Sequence, residues 1–230
     1  DGTYQHQVNP ADCVAGNCGP SSWGGLPVKG SDGQYHLFAS QFVQNCTLKG
    51  WNPGSTVIRA TASDPFGPYT FAETVFGTFH HNPTIRKLTP QQSGTPNGLF
   101  VIYMIGDDVP PPAGTGNNCN YDAANDPWHL EGHITLAFAE SVLGPWTKYN
   151  RTILSCGGVN TWEAMVTNPA AYIFENGTTL LYYRGTRWPK DGYERVGVAR
   201  ADSWRGPYGR LSDDPLWGPQ DDQVGVVTET

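Results

Sequence analysis

Short apolar or alternating runs, each the length of one β-strand, recur along the chain and are separated by turn residues. Four such runs form one group at residues 80–88, 98–106, 134–141 and 144–149. A similar group precedes it at residues 23–29, 34–40, 57–62 and 67–71, and another follows at 167–174, 179–185, 196–201 and 206–211. No run keeps a helical apolar period beyond about two turns. The repetition predicts an all-β protein, a β-propeller of four-stranded antiparallel blades with about three blades in this chain.

These groups set the predicted organisation of the 230 residues, which we expect to form a single propeller domain. The predicted blades are residues 21–79, 80–155 and 156–217, with an N-terminal strap at 1–20 and a tail at 218–230. Known propellers have about four to eight blades, so three blades would leave the ring open. We therefore expect the domain to be incomplete, with a longer chain or a second polypeptide completing the ring. The alternative is that the terminal segments contain further strands.

Charge and motif content narrow the functional classes. The net charge of -7 argues against a nucleic-acid partner, because such a partner needs a basic face. The absence of a long apolar run predicts no membrane span. The chain also lacks the Gly-x-Ser-x-Gly elbow, the phosphate-binding glycine loop and the His-Glu-x-x-His motif. These absences argue against serine hydrolases, nucleotide enzymes and zinc proteases, and we expect neither a cofactor nor a metal.

Five cysteines and three glycosylation sequons favour a secreted glycoprotein. Cys13 and Cys18 close a small loop and are the preferred disulfide pair, and Cys119 with Cys156 is a weaker alternative. A zinc site at Cys13 and Cys18 is a competing interpretation, although no second close Cys or His pair completes four ligands. Because the sequence starts at Asp1, we expect a signal segment to have been removed or to lie outside it. The sequons stand at Asn45, Asn150 and Asn176.

Three sequence features together indicate a known family. They are the Asn-Pro pairs at Asn82 and Asn168, the segment Asp-Gly-Gln-Tyr-His-Leu-Phe at 32–38, and Ser followed by Gly-Pro-aromatic at Ser63, Ser141 and Ser203. Over nearly the whole chain, these features resemble the five-bladed β-propeller glycosidases of the arabinanase, levansucrase and invertase group, which is glycoside hydrolase family 43-like. The resemblance implies a five-bladed ring with a carbohydrate pocket at the starts of the blades' first strands. It also implies that the aromatic residue of the Gly-Pro motif packs between blades.

The resemblance further implies three carboxylates from three early blades: a base, a pKa modulator and an acid. The chain departs from that pattern, because residues 22–25 read Ser-Trp-Gly-Gly and the second blade offers His81-Asn82. Only the third blade offers a nearby carboxylate, Glu163, which we take as the candidate general acid. Its neighbour Trp162 presents an apolar face that would raise the pKa of a carboxyl group. The missing acids come either from blades outside this chain or from Asp107 and Asp108.

Two histidines at the start of the second blade are candidates for sugar binding or proton transfer. His81 is assigned as a catalytic candidate and His80 as a substrate-binding one, because imidazole titrates near neutral pH and hydrogen-bonds hydroxyls. The alternative is that both cap the strand. Asn82 and Asn168, at equivalent positions, are expected to start their strands in an extended conformation. Their amides either contact sugar or tie blades together.

The remaining substrate-binding candidates are aromatic or cationic. Trp23 and Trp162 would stack on sugar rings, or else pack between blades. Arg184 would recognise a carboxylate or sulfate on a sugar, or else pair with an acidic neighbour. The leading hypothesis is therefore a secreted glycoside hydrolase-like protein acting on a polysaccharide or oligosaccharide. A non-catalytic glycan-binding or structural extracellular propeller and a polysaccharide lyase are the alternatives.

Overall fold

The computed structural model describes residues 22–43, 51–106, 132–149, 151–158, 161–187 and 194–217, without the side chains of 52 and 53. The chain divides into two compact units, and each is described by itself. The described part of the first unit is 22–43 and 51–85, and the second unit continues from Arg86. None of the described helices has the length and apolar character needed to cross a membrane.

The first unit contains a four-stranded antiparallel sheet whose strands follow chain order. Its elements are β1 (Ser22–Lys29), β2 (Tyr35–Phe42), α1 (Trp51–Gly54), β3 (Ser55–Ala62) and β4 (Thr70–Phe76). Leu37 and Ala39 on β2 pair with Ala60 and Ile58 on β3. Because side chains alternate along a strand, these four point to one face, where they form the core together with Tyr69.

Two further four-stranded sheets follow, again with their strands in chain order. One consists of β5 (His80–Leu88), β6 (Leu99–Gly106), β7 (Ile134–Ala139) and β8 (Thr147–Lys148), with the short helix α2 (Pro90–Ser93) after β5. The other consists of β9 (Met165–Ile173), β10 (Thr179–Thr186), β11 (Glu194–Ala201) and β12 (Gly209–Arg210). Strand β5 starts in the first unit and crosses into the second between Ile85 and Arg86. The predicted fold class, an all-β propeller with three four-stranded blades in this chain, is confirmed.

The core of the second unit joins its two sheets through aromatic side chains. Buried Tyr103 on β6 donates its hydroxyl to the carbonyl of Trp204 at 3.1 Å. The same hydroxyl lies 3.2 Å from the hydroxyl of Tyr208, the aromatic residue of the third Gly-Pro motif. Tyr208 therefore packs between sheets, as the resemblance implied. Tyr208 also donates to the carbonyl of Trp204 at 2.9 Å, and in the first unit Tyr69 makes the equivalent hydrogen bond to the carbonyl of Pro65 at 2.8 Å.

Buried phenols make the second unit sensitive to alkaline pH. Burial raises the pKa of Tyr208 to about 12 and raises the pKa of Tyr103 well above its usual value. Each group stabilises the folded state fully below the unfolded pKa of about 10, and that contribution is lost as pH rises through the folded pKa. We expect the free energy of unfolding to fall as pH rises from about 10 towards 12. An ultraviolet titration should show tyrosine hydroxyls that ionise at higher pH in the folded protein than in denaturant. Ionisation of every tyrosine near its ordinary pKa in the folded protein would contradict this expectation.

Candidate functional site

His81, near the start of β5, is a buried histidine enclosed by polar and aromatic groups of the first unit. Nδ1 of His81 and Oγ of Ser55 are hydrogen-bonded to each other at 2.8 Å. The ring stacks on Phe42 with centroids 5.9 Å apart and tilts against Trp51 at 5.0 Å. Only 5% of His81 is exposed. The hydrogen bond and the two aromatic neighbours therefore fix the orientation of its ring.

His80 is held by the turn that precedes β5. Its Nδ1 lies 3.0 Å from the carbonyl of Gly77 and 3.1 Å from that of Thr78, so Nδ1 is the protonated, donating nitrogen. Phe79 lies between these two residues and the start of β5, and it adopts a φ of 67°, which is unfavourable for a residue other than glycine. The imidazole of His80 thus fastens a strained turn, in agreement with the strand-capping interpretation.

Asn82 and Asn168 occupy equivalent places in their strands, but their conformation is not the predicted one. Both have positive φ, 48° and 50°, so the expected extended start is wrong. Asparagine tolerates the left-handed region better than most residues. The pairing of β9 with β10 shifts register between Thr167 and Ala170, where Pro169 has no N–H for the ladder. The Asn-Pro pair therefore forms a bulge inside β9 and does not start it.

The two asparagine side chains share an unusual feature. Oδ1 of Asn82 and Oδ1 of Asn168 are buried and have no hydrogen-bond partner among the described residues. The backbone N–H of Asn82 donates to Ser40 Oγ at 2.8 Å, which fixes this residue's position. An unpaired buried acceptor costs free energy, so each amide is a candidate for binding a hydroxyl donor.

Trp23 lies on β1 beside a bulge that approaches Asn82. Gly24 has a φ of 61°, and a Cβ there would lie 2.9 Å from Asn82 Oδ1. Only glycine therefore permits this close approach. Half-buried Trp23 lines a cleft of about 310 Å³ together with Gly24 and Phe66. The structure places Trp23 and Asn82 in the same unit as His80 and His81.

Glu163 lies in the second unit and is almost completely buried, with 4% exposed. Its Oε1 accepts a hydrogen bond from the Tyr183 hydroxyl, and its Oε2 accepts one from Arg210 Nε. Arg210 also donates from Nη2 to the carbonyl of Ser155. An acid in glycoside hydrolysis has to face the leaving oxygen. Both oxygens of Glu163 face donors of its own chain, which fits an anchoring carboxylate better than a general acid.

Trp162 packs over the same cluster. Its ring is parallel to that of Tyr183, with centroids 6.1 Å apart and planes at 10°. Its Nε1 donates to the carbonyl of Asp213 at 2.7 Å. A Cβ at Gly197 would lie 2.6 Å from the Trp162 ring, and one at Gly185 would lie 2.5 Å from it. These contacts cover the ring and support the packing interpretation of Trp162.

Arg184 is paired within its own sheet. Its Nη1 lies 2.8 Å from Glu194 Oε1, and its Nε donates to Thr167 Oγ1 at 3.0 Å. The arginine is 18% exposed and the glutamate 23% exposed at the side chain. This geometry agrees with the alternative prediction, in which Arg184 pairs with an acidic neighbour.

Several predicted residues receive no structural test. Cys13, Cys18, Cys119, Asn45, Asn150, Asp107 and Asp108 lie outside the described residues. Cys156 is a half-buried free thiol, contrary to the weaker expectation that it pairs with Cys119. Asn176 lies in the exposed turn between β9 and β10. Within the described ranges, no group of three His, Cys, Asp or Glu side chains is arranged to hold a metal ion.

Four residues that shape these sites were not singled out from the sequence. Ser55 orients His81, Trp51 covers it, and Tyr183 and Arg210 bind Glu163. The only sequence signal for Arg210 was its place just after the third Gly-Pro-aromatic motif. That signal does not specify which carboxylate the guanidinium meets.

Comparison with known proteins gives a likeness in fold. No family model matches the sequence, and no curated protein matches it. A thermostable family-43 glycoside hydrolase is similar at a TM-score of 0.56 and 16% identity, over 87% of this chain and 57% of that one. Zg3597, a family 117 glycoside hydrolase from Zobellia galactanivorans, is similar at a TM-score of 0.54 and 17% identity, over 83% of this chain and 54% of that one. Levansucrase from Gluconacetobacter diazotrophicus is similar at a TM-score of 0.57 and 13% identity, over 91% of this chain and 50% of that one.

The structural match covers different shares of this chain and of the solved structures. It covers most of this chain, whereas the chain spans only about half to three fifths of each solved structure named here. The resemblance drawn from the Asn-Pro and Gly-Pro-aromatic motifs is confirmed at the level of architecture. This chain has the fold of the β-propeller glycoside hydrolases of the family 43-like group.

Proposed function

We propose that this chain is part of a secreted, glycoside hydrolase-like protein that acts on a polysaccharide or oligosaccharide. The observation that carries the proposal is the run of three buried polar side chains, His80, His81 and Asn82, at the start of β5. Buried polar groups cost stability, and a strand interior would normally carry apolar residues at such places. The proteins of similar fold include glycoside hydrolases of families 43 and 117, which favours a carbohydrate ligand.

His81 is the proton-transfer residue in this proposal. Ser55 Oγ holds its Nδ1, and in this proposal Nε2 is the ring nitrogen that exchanges the proton. Asn82 Oδ1, buried and unpaired among the described residues, accepts a sugar hydroxyl beside it. His80 acts as a positioning residue, because its Nδ1 is used to hold the preceding turn. Glu163 maintains the structure of the second unit.

A non-catalytic glycan-binding propeller is the second candidate, and one observation favours it. Glycoside hydrolysis ordinarily needs two carboxylates across the sugar. The buried carboxylate Glu163 already binds Tyr183 and Arg210. A polysaccharide lyase is less favoured, because Arg184, the group that would neutralise a uronate, is paired with Glu194.

A carbohydrate panel tests the proposal. The full-length protein is incubated with plant, algal and microbial polysaccharides, and binding and new reducing ends are measured in parallel. We expect at least one polysaccharide to bind and to yield reducing ends. Binding without reducing ends would favour the non-catalytic candidate, and an unsaturated uronate product would favour the lyase. Neither binding nor turnover across the panel would overturn the assignment to carbohydrate.

A further inference from the structure

The turn between β9 and β10 has a defined hairpin geometry. The N–H of Gly177 donates to the carbonyl of Phe174 at 2.9 Å, and the N–H of Phe174 donates to the carbonyl of Thr178 at 2.8 Å. Gly177 has a φ of 86°, in the left-handed region. This pattern is a hairpin turn closed by a glycine bulge, and glycine supplies the positive φ without strain. The turn therefore presents residues 174–178 in one fixed arrangement.

Asn176 projects from this turn as an exposed residue of an Asn-Gly-Thr sequon. The N–H of Thr178 donates to Asn176 Oδ1 at 3.1 Å. This hydrogen bond fixes the plane of the side-chain amide. Because it uses Oδ1, the amide nitrogen Nδ2 lies on the other side of the group, away from the Thr178 backbone. Nδ2 is the atom to which an N-linked sugar is attached.

An aromatic surface lines the same groove as Asn176. Phe174 and Thr178 face each other across the hairpin, so their side chains lie on the same face. Phe174 is 42% exposed and Tyr172 is 59% exposed, and their rings meet edge to face with centroids 4.9 Å apart. Both rings and Asn176 line one open groove of about 900 Å³. A sugar joined to Asn176 can therefore reach the exposed ring of Phe174.

We propose that Asn176 is N-glycosylated and that its first N-acetylglucosamine packs against the ring of Phe174 in this groove. The C–H face of the sugar covers exposed aromatic surface, which removes apolar area from water. The attachment transfers the oligosaccharide from a lipid-pyrophosphate donor. The bond from sugar C1 to the pyrophosphate oxygen breaks, the Nδ2–C1 bond forms, and one Nδ2 proton is released. The other sequons have Val43 and Lys148 two residues before their asparagines, so neither carries an aromatic residue at that position.

Occupancy is measured on the full chain secreted from eukaryotic cells, by peptide mass spectrometry before and after enzymatic removal of N-glycans. We expect Asn176 to be occupied and Asn176→Gln to abolish that signal. An endoglycosidase that leaves the first sugar should not change the melting temperature, whereas an amidase that removes the sugar completely should lower it by about 2–4 °C. An unmodified Asn176 in the secreted protein would overturn the proposal.

Substitutions separate the aromatic contact from glycosylation itself. Phe174→Ala should remove the difference in melting temperature between the glycosylated and amidase-treated forms, and Phe174→Tyr should retain it. Phe71→Ala is the matched control, because Phe71 is 44% exposed and belongs to the first unit. The glycan effect should survive in that control. A glycan effect of the same size in Phe174→Ala would show that the sugar does not pack on this ring.

Discussion

Replacing Arg210 by methionine is expected to lower the free energy of unfolding by about 3 kcal/mol. The substitution leaves the carboxylate of Glu163, whose side chain is 5% exposed, without its cation. A buried charge that loses its partner typically costs about 3–5 kcal/mol, and the lower end applies here because the Arg210 side chain is 30% exposed. Urea denaturation of both proteins at neutral pH measures the difference.

Arg200→Met is the matched control in the same sheet. Arg200 pairs with Asp202, but their side chains are 50% and 88% exposed. An ion pair in water contributes about 0–1 kcal/mol, so this variant should remain close to the parent protein. An equal loss of unfolding free energy in the two variants would show that the ion pair of Arg210 with Glu163 stabilises the fold no more than an exposed ion pair does.

The His81→Gln substitution is expected to lower turnover of a responsive polysaccharide by about 10²–10⁴-fold, the usual contribution of a proton-transfer residue. Glutamine keeps hydrogen-bonding capacity towards Ser55 but cannot exchange a proton near neutral pH. Binding should change much less than turnover, because the neighbouring Asn82 is retained. Initial rates and equilibrium binding to the same polysaccharide give the two values.

The His36→Gln variant is the control that separates loss of proton transfer from the general effect of replacing a buried histidine. His36 is 1% exposed and hydrogen-bonds Asp32 and Arg59 in the first unit, and none of these three residues has a role in the proposed proton transfer. We expect it to lose stability and keep turnover. A comparable fall in turnover in both variants, or unchanged turnover in His81→Gln, would remove His81 from the mechanism.

The strands were largely predictable because local patterns specify them. Alternating and apolar runs predicted β6 and β10 within one or two residues, and Gly-Pro-aromatic turns marked the last strand of each sheet. These signals lie in residues close together in the chain, and the alternation of side chains along a strand is likewise a local property. The fold resemblance followed from the same repeats.

The environment of each candidate residue was harder to predict. Glu163 and Arg210 are 47 residues apart, and their contact depends on the path of the chain through the third sheet. The steric rule for a residue before proline predicted extended backbone at Asn82 and Asn168, but both adopt the left-handed region, and Asn168 does so within a bulge of β9. Local sequence suggested which residues are polar and buried, whereas tertiary contacts decide which of them are already paired.

The claim that carbohydrate is bound and processed at the start of β5 is tested most directly by a crystal structure of the full protein with an oligosaccharide from the responsive polysaccharide. We predict sugar hydroxyls within hydrogen-bond distance of Asn82 Oδ1 and a glycosidic oxygen facing the ring of His81. A sugar bound at the Glu163 carboxylate, with Tyr183 and Arg210 displaced and no sugar near β5, would contradict the account.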